Sequence, residues 1–101
     1  MTAAIDSDAV RLAAGAARDP EIRRSLAELG LLDEVEIQGS QVVVQFHLTS
    51  PLCPTKFAVS IGREIRRRVE AIAGVARCEV ILRDHFLREK IQLSINAHSD
   101  A

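Results

Sequence analysis

The sequence predicts an α/β fold, a small α-β-β-α-β sandwich built on a three-stranded mixed sheet. Three observations predict it. Two runs with an apolar period of two flank Gln38-Gly39-Ser40, a long stretch with apolar residues four apart comes next, and a third β-like run follows Gly74. Strands joined by so short a turn pair antiparallel, whereas a helix between two strands is a crossover that lays the third parallel to the second, with a right-handed connection.

The elements follow in order. Val10, Ala13, Ala14 and Ala17 recur at helical spacing behind a cap at Asp6 or Ser7. Arg18-Asp19-Pro20-Glu21 interrupts that helix, and Pro20 suits the first position of a second one capped by Asp19. Ile22, Leu26 and Leu29 line the second helix, and Gly30 ends it. From Asp33 the period becomes two, with Val35 and Ile37 alternating with Glu34 and Glu36. Gln41 to Thr49 is the most β-like run, with Val42, Val44, Phe46 and Leu48 on one face.

Pro54 opens a long helix to about Ala73, striped by Phe57, Ile61, Ile65, Val69 and Ile72. Val75 to Leu82 is the third strand, with Ala76, Cys78, Val80 and Leu82 on its core face. Beyond Arg83 both periods fit: Ile91, Leu93 and Ile95 alternate, while Leu87, Ile91 and Ile95 stand four apart. Strand and helix stay open there.

At 101 residues the chain is one domain, 1–101, with a core about 8–83 and a variable tail at 84–101. Apolar residues at 48% and charged residues at 27% allow a core with a charged surface. The net charge of −1 gives no overall pull toward nucleic acid or anionic lipid. No apolar run approaches the roughly 20 residues a bilayer span needs. Met1 to Asp8 carries neither the basic nor the apolar part of a signal peptide, so a cytoplasmic location is expected.

Cys53 stands between a strand end and a helix start, where helix N–H groups stabilise a thiolate. Lys56 adds a cation nearby. Spacing alone equally allows a small apolar plug. Cys78 falls on the core face of its strand and is expected to be structural. Asp19 and Glu21 fit helix capping on sequence grounds, and they are also available as metal ligands. Thr49 borders the cysteine loop and can hydrogen-bond a thiolate or ligand. His47 is explained by a solvated strand face. Arg66, Arg67 and Arg68 point about 100° apart on a helix, which suits a solvated face better than one basic cluster.

Asp19-Pro20-Glu21-Ile22, then Ser25 through Leu32, then Leu48-Thr49-Ser50-Pro51-Leu52-Cys53-Pro54 resemble the PaaD/SufT-like iron–sulfur assembly family. The same domain begins some Mrp-type cluster-carrier ATPases. The resemblance covers roughly Val10 to Leu82. It implies the fold already outlined, and it maps the family's cysteine, in a Thr-x-x-x-Cys-Pro setting, onto Cys53 and Thr49. It maps the family's Asp-Pro-Glu, thought to lie near that cysteine, onto Asp19, Pro20 and Glu21. Two departures stand out. The Pro-rich, Trp-containing segment common after the last strand is replaced by Asp84-His85-Phe86-Leu87-Arg88, and Pro51-Leu52 stands where small residues are often found.

The resemblance implies an accessory factor, not an enzyme, in the maturation of iron–sulfur or other iron-containing proteins. Cys53 would bind and pass on iron or a transient iron–sulfur cluster, supported by Asp19, Glu21 and Thr49. The expected partners are a client apo-metalloprotein or assembly proteins and a second copy in a homodimer, with no nucleic acid and no membrane. One chain's two cysteines cannot give a cluster four thiolates, so a second chain, a small thiol or non-cysteine ligands must contribute. The alternative is a metal-free adaptor that scaffolds a client enzyme or an assembly complex.

Overall fold

Asp6 starts the first helix, its carboxylate accepting the Asp8 N–H at 3.0 Å. The structure, a computed structural model, describes residues 5–18, 23–48, 55–83, 85 and 87–96. Its elements are α1 (Ser7–Gly15), α2 (Leu26–Leu29), β1 (Leu32–Gln38), β2 (Gln41–His47), α3 (Thr55–Glu70), β3 (Arg77–Arg83) and α4 (Arg88–Asn96).

The sheet order is β1-β2-β3. β1 and β2 pair antiparallel, with Gln38 opposite Gln41, so Gly39 and Ser40 form a two-residue turn. Gly39 takes a φ of 65° there, a region open to glycine without a Cβ penalty. β3 pairs parallel to β2, from Gln41 opposite Arg77 to His47 opposite Arg83. The mixed sheet therefore has the predicted arrangement.

One face of the sheet makes the core. Val42, Val44 and Phe46 of β2 are fully buried, as are Val80 and Leu82 of β3. Val10 and Ala14 of α1 and Ile61, Ile65 and Val69 of α3 complete the same cluster. The predicted stripe of α3 holds at those three isoleucine and valine positions, joined by Ala58. Phe57 and Ile72, at its ends, are only partly buried. The odd-numbered residues of β2 are half-exposed on the opposite face. Ala76 is exposed, because β3 begins one residue later and the Ala76 N–H instead reaches back to the Ser40 carbonyl at 2.8 Å.

The second helix is shorter than expected. Arg23 has a φ of 60° and the helix begins only at Leu26. Its cap is Ser25, whose side chain accepts the Glu28 N–H while the Glu28 carboxylate accepts the Ser25 N–H. This reciprocal box satisfies helix-end donors locally and sets the start of α2 at Leu26; the expected start at Pro20 and cap at Asp19 lie outside the described residues. Gly30 ends the helix in the left-handed conformation, as anticipated.

The tail resolves as a helix. Ile91 and Ile95 are fully buried, whereas Leu93 is 75% exposed. A strand would turn all three to one face; a helix separates Leu93 from the other two. α4 packs on α3 and along the outer edge of β3. Among the described residues no helix is long and apolar enough to cross a membrane.

Candidate functional site

Cys53, Thr49, Asp19 and Glu21 lie outside the described residues, and the site is approached through the elements that flank them. The cysteine segment leaves β2 after Leu48 and enters α3 at Thr55. It thus departs from the carboxyl end of the central strand. In open sheets containing parallel strands, ligands collect at the carboxyl ends, where chain reversals leave a crevice. β3 runs parallel to β2 and finishes at the same end, with Arg83 opposite His47.

The Asp-Pro-Glu segment is closed at its base. Arg18 and Ser25 form an isolated antiparallel bridge, and the Leu26 N–H donates to the Ala17 carbonyl at 2.9 Å. From there a chain of backbone bonds leads to β2. The Leu31 N–H donates to the Leu26 carbonyl at 3.0 Å, and the His47 N–H donates to the Leu31 carbonyl at 3.0 Å. Ala17, Leu26, Leu31 and Leu48 are all buried along this route. The bases of the two segments are therefore tied to one end of the sheet through buried, hydrogen-bonded backbone. Sequence spacing held no sign of this link, because it depends on how α2 folds back.

The same end carries a side-chain pair that sequence reasoning passed over. His47 Nδ1 lies 2.9 Å from Asp33 Oδ1 and 3.0 Å from Asp33 Oδ2. The ladder of β1 with β2 shifts between Leu32 and Val35, and Asp33 sits within that irregular stretch. A regular alternation gives no sign of such a shift, which is why His47 reads from sequence as merely solvated. Arg11 also donates to the Asp33 carbonyl at 3.2 Å, fixing this corner to α1.

Cys78 behaves as the sequence anticipates. It is 1% exposed, and burial, aided by the negative charge of Glu70, pushes its thiol up to about 12. A thiol so reluctant to ionise is a poor metal ligand. The three arginines do not cluster, but only two lie on the expected solvated face: Arg67 is exposed and so is Arg68, which bonds Glu64, whereas Arg66 is largely buried against Glu70 and the Ile95 carbonyl. Among the described residues no three His, Cys, Asp or Glu side chains come together as a metal site.

The sequence profile of the family described as "Iron-sulfur cluster assembly protein" matches residues 7–81, which end one residue short of Leu82 near the finish of β3. An iron-sulfur cluster carrier protein from Deinococcus radiodurans is 30% identical over 74 residues, covering 73% of this chain and 21% of the relative. One from Synechocystis is 33% identical over 76 residues, covering 75% of this chain and 21% of the relative. A third, from Mycobacterium leprae, is 34% identical over 65 residues, covering 63% and 16%. The chain spans about a fifth of the length of the first two of these curated relatives.

Proposed function

The chain belongs to the iron–sulfur cluster assembly protein family, and from that membership we propose that it is an accessory factor which takes up iron or an iron–sulfur cluster and passes it to an apo-protein. Relatives that match most of this chain bear the name of cluster carriers, which supports the reading. The cluster is cargo, not a resident cofactor. Cys53 is the thiolate that holds it, since soft sulfur ligands suit iron–sulfur centres. Thr49, Asp19 and Glu21 order the surrounding loops or supplement the ligands. The factor works in the cytoplasm without turnover of its own, as a homodimer in which two chains share one cluster.

One observation carries the reading. The backbone relay from Ala17 through Leu26 and Leu31 to His47 ties the residues that flank the Asp-Pro-Glu segment to the strand end that precedes the cysteine segment, which supports the reading. Two loops rooted together are what a shared ligand site requires.

Anaerobic reconstitution with ferrous iron and sulfide tests it. The wild-type protein and a Cys78→Ala variant should bind iron and mature a client apo-protein, while Cys53→Ala should keep its fold and do neither. Client complexes that form without any iron, and that survive loss of Cys53, would establish the adaptor instead.

A further inference from the structure

We propose that the exposed side of α3 is a docking surface for an acidic segment of a partner protein, read by Lys56, Arg63 and Arg67. The first support is their placement. Lys56, Ser60, Arg63 and Arg67 follow one another at spacings of four, three and four, which brings them onto one stripe of the helix. All four are exposed. From Lys56 to Arg67 the stripe runs about 16 Å. Together with Ser94 of α4 these residues line an open cleft of about 520 Å³. The cluster thus comes from residues a turn or two apart, not from the consecutive arginines at 66–68.

The second support is charge left unmatched. Among the described residues, Lys56, Arg63 and Arg67 make no ion pair. Glu64 also borders the cleft, but its carboxylate already accepts from Arg68 Nε at 2.9 Å. Arg66 is likewise matched to Glu70 one turn on. Two of the three cleft cations are nevertheless held in place. Arg63 donates to the Ser94 carbonyl at 3.2 Å, and the Lys56 ammonium stands 5.3 Å from the centre of the Phe57 ring. Side chains ordered in advance lose less freedom when a partner binds.

The third is how charge is distributed along the chain. Residues 55–90 carry nine basic and five acidic side chains, whereas residues 1–54 carry four and eight. The net charge of −1 therefore conceals a basic second half. A short acidic segment can answer the cleft alone, and arginine clusters are a recurring means of gripping carboxylates. A long nucleic acid gains nothing from a chain of negative overall charge. No aromatic side chain lines the cleft to stack its bases.

A merely solvated helix face would attract anions only in proportion to overall charge, so the test holds that charge constant between variants. The full chain, without iron, is titrated into a fluorescent peptide of alternating glutamate and serine and followed by anisotropy. A length of about eight residues covers the stripe in extended form. Salt is kept at about 0.1 M, where charges more than about 10 Å apart are screened. The wild type should bind this peptide and not its glutamine counterpart. Lys56→Glu with Arg67→Glu should weaken binding about 10-fold or more, mainly through slower association. Arg24→Glu with Lys90→Glu makes the same change in net charge at exposed residues outside the cleft, and should leave the affinity within about twofold. Lys56→Gln with Arg67→Gln, which adds no new charge, should fall between, and unchanged urea unfolding midpoints show that all variants fold.

Equal losses from the two charge reversals, or no binding of the glutamate peptide, overturn the proposal. So does tighter binding of a single-stranded DNA oligonucleotide, or a wild type that self-associates in sedimentation through the same cleft residues. No arm contains iron, so each result leaves the carrier reading where it stands.

Discussion

Asn96 holds Val80 as a neighbouring strand would. Its Nδ2 donates to the Val80 carbonyl at 2.8 Å and its Oδ1 accepts the Val80 N–H at 2.9 Å, so one side-chain amide stands in for a peptide group. Two residues on, Gln92 Oε1 accepts the Leu82 N–H at 2.9 Å; two residues back, Glu70 Oε2 accepts the Cys78 N–H at 3.0 Å. The outer edge of β3 is thus closed by side chains at alternate residues. An open edge strand is a template for pairing with another chain, and α4 with the end of α3 removes that template.

Asn96→Ala should therefore do more than delete a surface contact. It leaves an N–H and a carbonyl of β3 without partners, and each unsatisfied buried group costs about 1–3 kcal/mol. A loss of roughly 2–6 kcal/mol is expected in urea unfolding on that basis, together with self-association in size-exclusion chromatography. Leu93→Ala on the same helix, at a side chain 75% exposed, should stay within about 0.5 kcal/mol of the wild type. Equal effects from the two substitutions would mean that α4 does not guard the edge.

How α4 reaches that edge depends on Gly62. A Cβ there would run into the side chain of Ile95, so glycine is what lets the two helices come this close. Gly62→Ala favours α3 by its helix propensity, by about 1 kcal/mol, but forces α4 outward. Overpacking of this kind typically costs 1–3 kcal/mol and should outweigh the gain. The specific sign is faster amide hydrogen exchange at Val80 and Leu82, whose acceptors ride on α4. Unchanged protection at those two amides would show that the helix tolerates the methyl in place.

The sheet and its core were legible because they are written in periodicity. Val42, Val44 and Phe46 alternate with half-exposed neighbours, and Ile61, Ile65 and Val69 keep a spacing of four; in both cases burial follows the pattern. What escaped was set by non-local geometry. The Asp33–His47 pair arises from a ladder shift, and the relay through Leu31 from the way α2 folds back. Only packing could decide the tail, where Ile91, Leu93 and Ile95 satisfy two periods at once. The second helix is shorter than its apolar spacing suggests because Arg23 is left-handed and the capping box at Ser25 and Glu28 fixes the start at Leu26. Its expected place between a strand end and a helix start, together with the family resemblance, singles out Cys53, which lies outside the described residues.

That capping box closes the Asp-Pro-Glu segment at its base, and Ser25→Ala tests its weight. Loss of an N-cap hydroxyl costs about 1 kcal/mol. The Ser25 N–H and hydroxyl also hold the Glu28 carboxyl below the usual carboxylate range. A lowered folded-state pKa adds stability above the unfolded value, and that stability is lost as pH falls through the folded one. The gap between wild type and Ser25→Ala should accordingly be widest near neutral pH and narrow in acid. A gap independent of pH from neutral to acid would show that Glu28 takes no part.

Cys78 gives the opposite sign at the other end of the pH scale. Burial is the main cause of its raised pKa of about 12, with Glu70 second, against an unfolded value near 9. The folded state therefore keeps its proton where the unfolded chain has begun to release it. Below about pH 9 both states are protonated and the thiol makes stability no steeper or flatter with pH. Between about pH 9 and 12 each pH unit should cost about 1.4 kcal/mol through this one group, the value of one proton per unit. Cys78→Ala removes that dependence while introducing a constant penalty for the lost sulfur, so its unfolding free energy should start below the wild type and converge on it as pH rises. Curves that remain parallel across the window would mean that the thiol ionises as readily in the native protein as in the unfolded chain, and that Cys78, too, is chemically available.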